Sequence, residues 1–262
     1  MNLIPPLVRW GIPDAVAVFL VTPLYLGIVL GLQALGVRGD SEALSFALGL
    51  LFYAALAGVV VVASRARGQR SLRADFGLAF KPVDLAIGLG IAVLAKIATV
   101  VFGIVVYVFG GELPKSGNFV LGTDPLWIVL TGVLLGSLIA PFVEELVFRG
   151  LILRAVRYRV LRGRRAAPHP HPAPQGVQVR AVVLGILISS TAFAVLHLYQ
   201  APGDPALFAV LALSTFTVGV FHAVITVVTG RLGPAIVSHI LFNGSGVVLQ
   251  VLLAGSLPGA TT

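Results

Sequence analysis

The chain has 262 residues, 58% of them hydrophobic and only 11% charged, with a mean hydropathy of +1.02. Soluble domains carry roughly 25% charged residues, and the apolar excess here comes in long blocks, so a soluble globular domain is excluded. The net charge of +8 is gathered in short connections between those blocks, a pattern that points to anionic lipid and away from nucleic acid.

Seven candidate spans follow in chain order, at roughly 15–37, 43–63, 84–110, 126–153, 181–200, 206–229 and 233–254. Uncharged apolar runs of about 20 residues cross a bilayer, so the expected fold class is all-α, a polytopic transmembrane helical bundle. The first run is too long for the roughly 7–15-residue apolar segment of a signal peptide and reads as a span. The connection after span two holds Arg65, Arg67, Arg70, Arg73 and Lys81. The one after span four, residues 154–180, holds Arg154, Arg157, Arg159, Arg162, Arg164, Arg165 and Arg180. The connections after spans one, three and five hold only Arg38, Lys115 and no basic residue, respectively. Basic connections lie on the cytoplasmic side. The expectation is a multi-pass cell-membrane protein with its N-terminus cytoplasmic and its C-terminus external. Within the basic connection, residues 166–176 read as a proline-rich linker, and His169 and His171 there belong to an exposed loop. The chain has no cysteine, which excludes disulfides, thiolate metal sites, a cysteine nucleophile and a prenylation box of its own.

Span four carries Glu144, Glu145 and Arg149 inside one of the most apolar stretches, LIAPFVEELVFRGLIL over 138–153. Ionisable groups in a span cost several kcal/mol each and mark sites or pathways. Glu145 and Arg149 stand four apart on one helix face and can pair. Glu144 points about 100° away, free to face a cavity, where a desolvated carboxylate suits general base or acid work. Span five carries Phe193 and, four residues on, His197; span seven carries His239 and Asn243 at the same spacing. An imidazole and an amide projecting together can donate hydrogen bonds to a developing oxyanion. Bland roles remain open for each: a structural ion pair at Glu145–Arg149, packing at Phe193, helix cross-linking at His239 and Asn243.

Depth raises a conflict. At about 1.5 Å per residue, Glu144 lies roughly 14 Å from the cytoplasmic end of span four and Asn243 roughly 15 Å up span seven. His197 lies roughly 24 Å up span five if that span starts at 181.

At these residues the chain resembles the CPBP family, the CAAX-protease and bacteriocin-processing (Abi) intramembrane proteases. That family's pattern is Glu-Glu-x-x-x-Arg, Phe-x-x-x-His and His-x-x-x-Asn, met here at Glu144–Arg149, Phe193–His197 and His239–Asn243, within residues 126–250. The approach to the last motif, residues 229–239 (TGRLGPAIVSH), is similar too. The resemblance implies a protease core in residues 126–262, formed by the last four spans, after an N-terminal three-span region (1–125) of unknown role. It implies a glutamate-dependent endopeptidase with no required cofactor. Glu144 and His197 would activate water, His239 and Asn243 would hold the oxyanion, and Arg149 would position the glutamates. The implied partners are membrane lipids and a membrane protein or lipid-associated peptide as substrate. The best-known members cut a prenylated C-terminal sequence, whereas many bacterial members lie outside that pathway. Alternatives are a zinc protease using Glu144, His197 and His239 as ligands, and a non-catalytic scaffold or immunity protein. Lys96, near the middle of span three, either pairs or snorkels, or serves a substrate as in a transporter. His222 on span six reads as a packed or hydrogen-bonding residue.

Overall fold

The computed structural model of the protein describes residues 8–37, 41–110, 124–162, 174–201 and 203–256. It is all-helical, and seven of its helices are long and apolar enough to cross a membrane. They are α1 (Ile12–Ala34), α2 (Glu42–Arg67), α4 (Val83–Gly110), α5 (Pro125–Leu161), α6 (Gln175–Val195), α7 (Pro205–Thr229) and α8 (Gly233–Ser256); a short helix, α3 (Leu72–Phe76), joins α2 to α4. All seven expected spans are present. Residues His169 and His171 lie outside the described residues.

Local chemistry sets the helix ends. Ser41, Asp124 and Asp204 each accept a hydrogen bond from a backbone N–H of the first turn, at 3.3, 2.8 and 2.8 Å, and Pro125 and Pro205 take the position after the cap. These are the residues that satisfy the orphan donors of a helix start. Gly230 ends α7 at φ 74°, a left-handed conformation that favours glycine.

The outward face of α4 (Leu85, Leu89, Val93, Ile97, Val100, Ile104) is apolar and exposed, as expected of a side turned to lipid. Its inward face packs on α7 and α8. The α4–α8 approach is close because Gly88 has no side chain: a Cβ there would lie 2.5 Å from Val237 Cγ1. The first three spans are therefore part of the same bundle as the last four.

At one end of the bundle, polar side chains replace apolar packing. Asp75 is fully buried and accepts from Trp10 Nε1 (3.1 Å), Ser64 Oγ (2.6 Å) and the Gln69 N–H (3.0 Å). Arg231 forms a double hydrogen bond with Asp84, and the Leu232 and Gly233 N–H groups donate to the carbonyls of Gly77 and Ala79. Together these contacts clamp the start of α8 to the loop before α4.

The expected basic connection at 154–180 needs correcting. α5 continues to Leu161 and α6 begins at Gln175, so Arg154, Arg157 and Arg159 stand on helix, and Arg157 is buried beside Gly185. The expected α-helical phase of span four also needs correcting. Two stretches, Ile128–Ile139 and Leu146–Ile152, are wound as wider π-helix on either side of an α-helical segment, Ala140–Glu145. The first change of pitch falls beside Pro141, whose ring lacks an N–H and crowds the carbonyl one turn back.

Candidate active site

Glu144 and Glu145 both sit in that short α-helical segment, at the centre of the bundle, and their surroundings differ. Glu145 is fully buried. Its Oε1 accepts from Arg149 Nη1 (3.0 Å), His222 Nδ1 (2.9 Å) and His239 Nδ1 (2.8 Å). The Arg149 guanidinium is fully buried too, 4.4 Å from the Phe193 ring centre. The pairing expected from the four-residue spacing is present, widened into a network by two histidines from α7 and α8. His222 passes the chain of hydrogen bonds on to Ser238 Oγ at 3.0 Å, so its hydrogen-bonding reading holds.

Glu144 points into a cavity of about 310 Å³, lined also by Tyr53, Lys96, Gly136, Tyr199 and Asn243. Tyr53 donates to Glu144 Oε1 at 2.9 Å. His197 Nε2 lies 4.0 Å, and His239 Nε2 3.7 Å, from Glu144 Oε2. The conflict over the depth of His197 therefore disappears. α5 and α6 run antiparallel in a fixed register: Gly185 packs on Arg157, Ser189 Oγ donates to the Phe148 carbonyl (2.8 Å), the Phe193 ring meets Phe148 edge-on (5.2 Å), and His197 arrives at Glu144. Phe193 is a buried packing residue that also touches the rings of His197 and His239.

Hydrogen-bond partners decide the ring tautomers. His197 Nδ1 faces the Phe193 carbonyl (2.7 Å), and His239 Nδ1 faces the Glu145 carboxylate. Both partners only accept, so both Nδ1 atoms carry hydrogen. In the neutral rings Nε2 is then a lone pair, and two of them converge on a carboxylate oxygen. Three acceptors around one point call for a shared proton, a donor such as water, or a cation.

Asn243 is oriented by a defect in α5. In the π pitch the Gly136 carbonyl would accept from residue 141, which is proline and has no N–H. Asn243 Nδ2 supplies the missing hydrogen bond at 3.0 Å, which leaves the amide a second N–H to donate, and the residue lines the cavity. On the far side of His197, Phe242 and Asn243 lies a second cavity of about 270 Å³, to which α7 contributes the apolar Leu207, Val210, Leu211 and Val218.

Residues 125–245 match the Type II CAAX prenyl endopeptidase Rce1-like family. That segment belongs to the family. It contains all three motifs, and it indicates a CAAX-type intramembrane protease, a membrane-embedded hydrolase. No curated protein and no solved structure matches the chain.

Two donor sets bear on a metal. Glu145, His222 and His239 have ligand atoms within 4.8 Å of one another. They do not fit a dication, because Arg149 already occupies the same Oε1 with a full positive charge. The set Glu144, His197 and His239 is not drawn together as closely, but its rings have the pattern of metal ligands, which commonly donate one ring N–H to a carbonyl or carboxylate and bind through the other nitrogen. Sequence reasoning named Glu144, His197, His239 and Asn243 but missed Tyr53 and Ser238. A hydroxyl in an apolar span carries no spacing signal, and Tyr53 lies 91 residues from its partner.

Proposed function

We propose that the chain is a metal-independent, glutamate-dependent intramembrane endopeptidase whose substrate is a membrane-associated protein or peptide. The observation that carries this reading is the convergence of the Glu144 carboxylate with two Nε2 atoms on one wall of a cavity. Charge favours the metal-free form. Glu144, Glu145 and Arg149 sum to one negative charge and Lys96 across the same cavity adds one positive, so a divalent ion would leave a surplus of buried charge, which is costly. With a proton on His239 Nε2, the ring is a donor held from behind by Glu145, and Glu144 acts as a carboxylate.

The chemistry then follows from the side chains. A water between Glu144 and His197 gives a proton to Glu144 as its oxygen adds to the peptide carbonyl. His239 Nε2–H and the free Asn243 N–H stabilise the resulting oxyanion. Protonated Glu144 returns the proton to the leaving amine as the C–N bond breaks. The apolar cavity across His197 receives the apolar part of the substrate. Orientation follows the basic clusters, with the Arg-rich connections cytoplasmic, the N-terminus cytoplasmic and the C-terminus external.

Purified protein is expected to cleave a prenylated CAAX-type peptide in detergent with its rate unchanged by EDTA or 1,10-phenanthroline. Loss on chelation with recovery on added zinc would transfer the same residues to the zinc-dependent reading, in which Glu144, His197 and His239 would hold the ion and Lewis-acid chemistry would be supplied there. Tyr53→Phe is expected to slow cleavage about tenfold, the worth of one hydrogen bond to a charged group, with thermal stability retained. An unchanged rate would show that the phenol does not orient Glu144.

A further inference from the structure

Lys96 lies on α4, outside the segment that matches the family, and lines the same cavity as Glu144. Its ammonium sits 4.1 Å from the centre of the Phe242 ring and beside Gly246, so it rests on α8 against the residue just before Asn243 and the one three residues after it. Among the described residues no carboxylate forms an ion pair with Lys96 and no acceptor hydrogen-bonds it; its contact is the aromatic face. A lysine inside a span is expensive, and such groups normally pair or face a polar path. The helices packed on this part of α4 offer it no ion-pair partner: α8 presents Phe242, Asn243, Gly246 and Gln250, α7 presents no acid, and the one carboxylate facing the cavity, Glu144 of α5, stands beyond ion-pair distance across it. The ammonium itself lies over the Phe242 ring, so the charge is turned into the bundle and not out to a membrane surface.

We propose that Lys96 is a substrate-positioning residue that binds a carboxylate at the end of the substrate chain. This rests on the protease reading and deepens it: the cavity that carries Glu144 at one wall carries at another a cation without an ion-pair contact among the described residues. At about 310 Å³ the cavity is at the small end of ligand sites. It accommodates a chain end more readily than a chain passing through. A terminal carboxylate on Lys96 fixes how far the peptide enters and hence which carbonyl stands over Glu144. Asn243, between Phe242 and Gly246 on α8, is then adjacent to both the anchor and the reacting carbonyl.

The test uses the full chain in detergent with a farnesylated peptide ending in the Cys-aliphatic-aliphatic-X pattern, made once as the free acid and once as the carboxamide. Wild type is expected to favour the acid about tenfold in kcat/KM, the worth of a charge-assisted hydrogen bond. Lys96→Met should bring the acid down to the kcat/KM of the carboxamide and let its cleavage position spread, and Lys96→Arg should restore both the preference and the single position. Equal losses on acid and carboxamide, or no acid preference in wild type, overturn the proposal, since a lysine that tuned Glu144 would act on both. A carboxamide ending in Asp separates the two sources of the charge: recovery assigns the site to any carboxylate of the last residue, and no recovery assigns it to the terminal α-carboxylate alone. Binding of the same pair to Glu144→Gln, read by fluorescence anisotropy, separates this proposal from the protease reading. A Lys96-dependent acid preference in binding, with no cleavage by wild type, upholds the anchor and sinks the protease; cleavage without that preference does the reverse.

Discussion

Glu144→Ala is expected to lower peptide cleavage by about 10²–10⁴-fold, the range that a positioned general base contributes, while the protein still inserts and stays monodisperse in detergent. Glu144 is only 9% exposed, and its partners are a tyrosine hydroxyl and two rings at 3.7–4.0 Å, while the buried Arg149 keeps Glu145 as its counter-charge. Removing Glu144 therefore deletes the proposed base, and the proton proposed on His239 is free to leave with it. The isosteric Glu144→Gln should behave alike, because its amide oxygen can still accept from Tyr53 while the group can no longer take a proton from water. Undiminished cleavage by both variants would falsify the assignment of Glu144 as the base.

Glu145→Ala should give the opposite phenotype, a failure of the protein before a failure of the chemistry. One oxygen of Glu145 receives hydrogen bonds from Arg149, His222 and His239, on three different helices, and all of these groups are buried. Its loss leaves the Arg149 guanidinium uncompensated in the interior, a change that costs about 3–5 kcal/mol. The expected readout is a steep fall in thermal stability in detergent, followed by size-exclusion after heating. Glu145→Gln, which keeps the shape and one acceptor, should fall less. Equal stability of wild type and Glu145→Ala would mean that Arg149 draws its compensation from elsewhere.

The contrast between these neighbours was legible in the sequence because helical spacing alone places Arg149 on Glu145 and turns Glu144 aside. The seven spans were legible for the same kind of reason, since the bilayer demands long uncharged runs. The height of His197 was not, because it was measured from span ends at 153 and 181 that are not the helix ends. Both helices run further toward the linker, and an antiparallel hairpin centred on the proline-rich segment puts residue 197 opposite residue 144. The π-helical turns were hidden as well; Pro141 was their sequence signal, although a proline equally announces a kink. Tyr53 and Lys96 could not be tied to the site by sequence, since only packing of the first three spans against the last four brings them to the cavity.

The proline at 141 also has a reach that its own helix does not reveal. A hydrogen atom absent from one span selects, in another span distant along the chain, which end of the Asn243 amide is committed to structure and which is left for a reacting group. Any residue with an N–H at 141 would refill the ladder, and Asn243 would be free to turn over and present its oxygen, an acceptor, where an oxyanion needs a donor. The polarity of the candidate site is thus encoded partly by subtraction, and a change that looks merely helix-restoring at 141 would leave one of its signs free to invert.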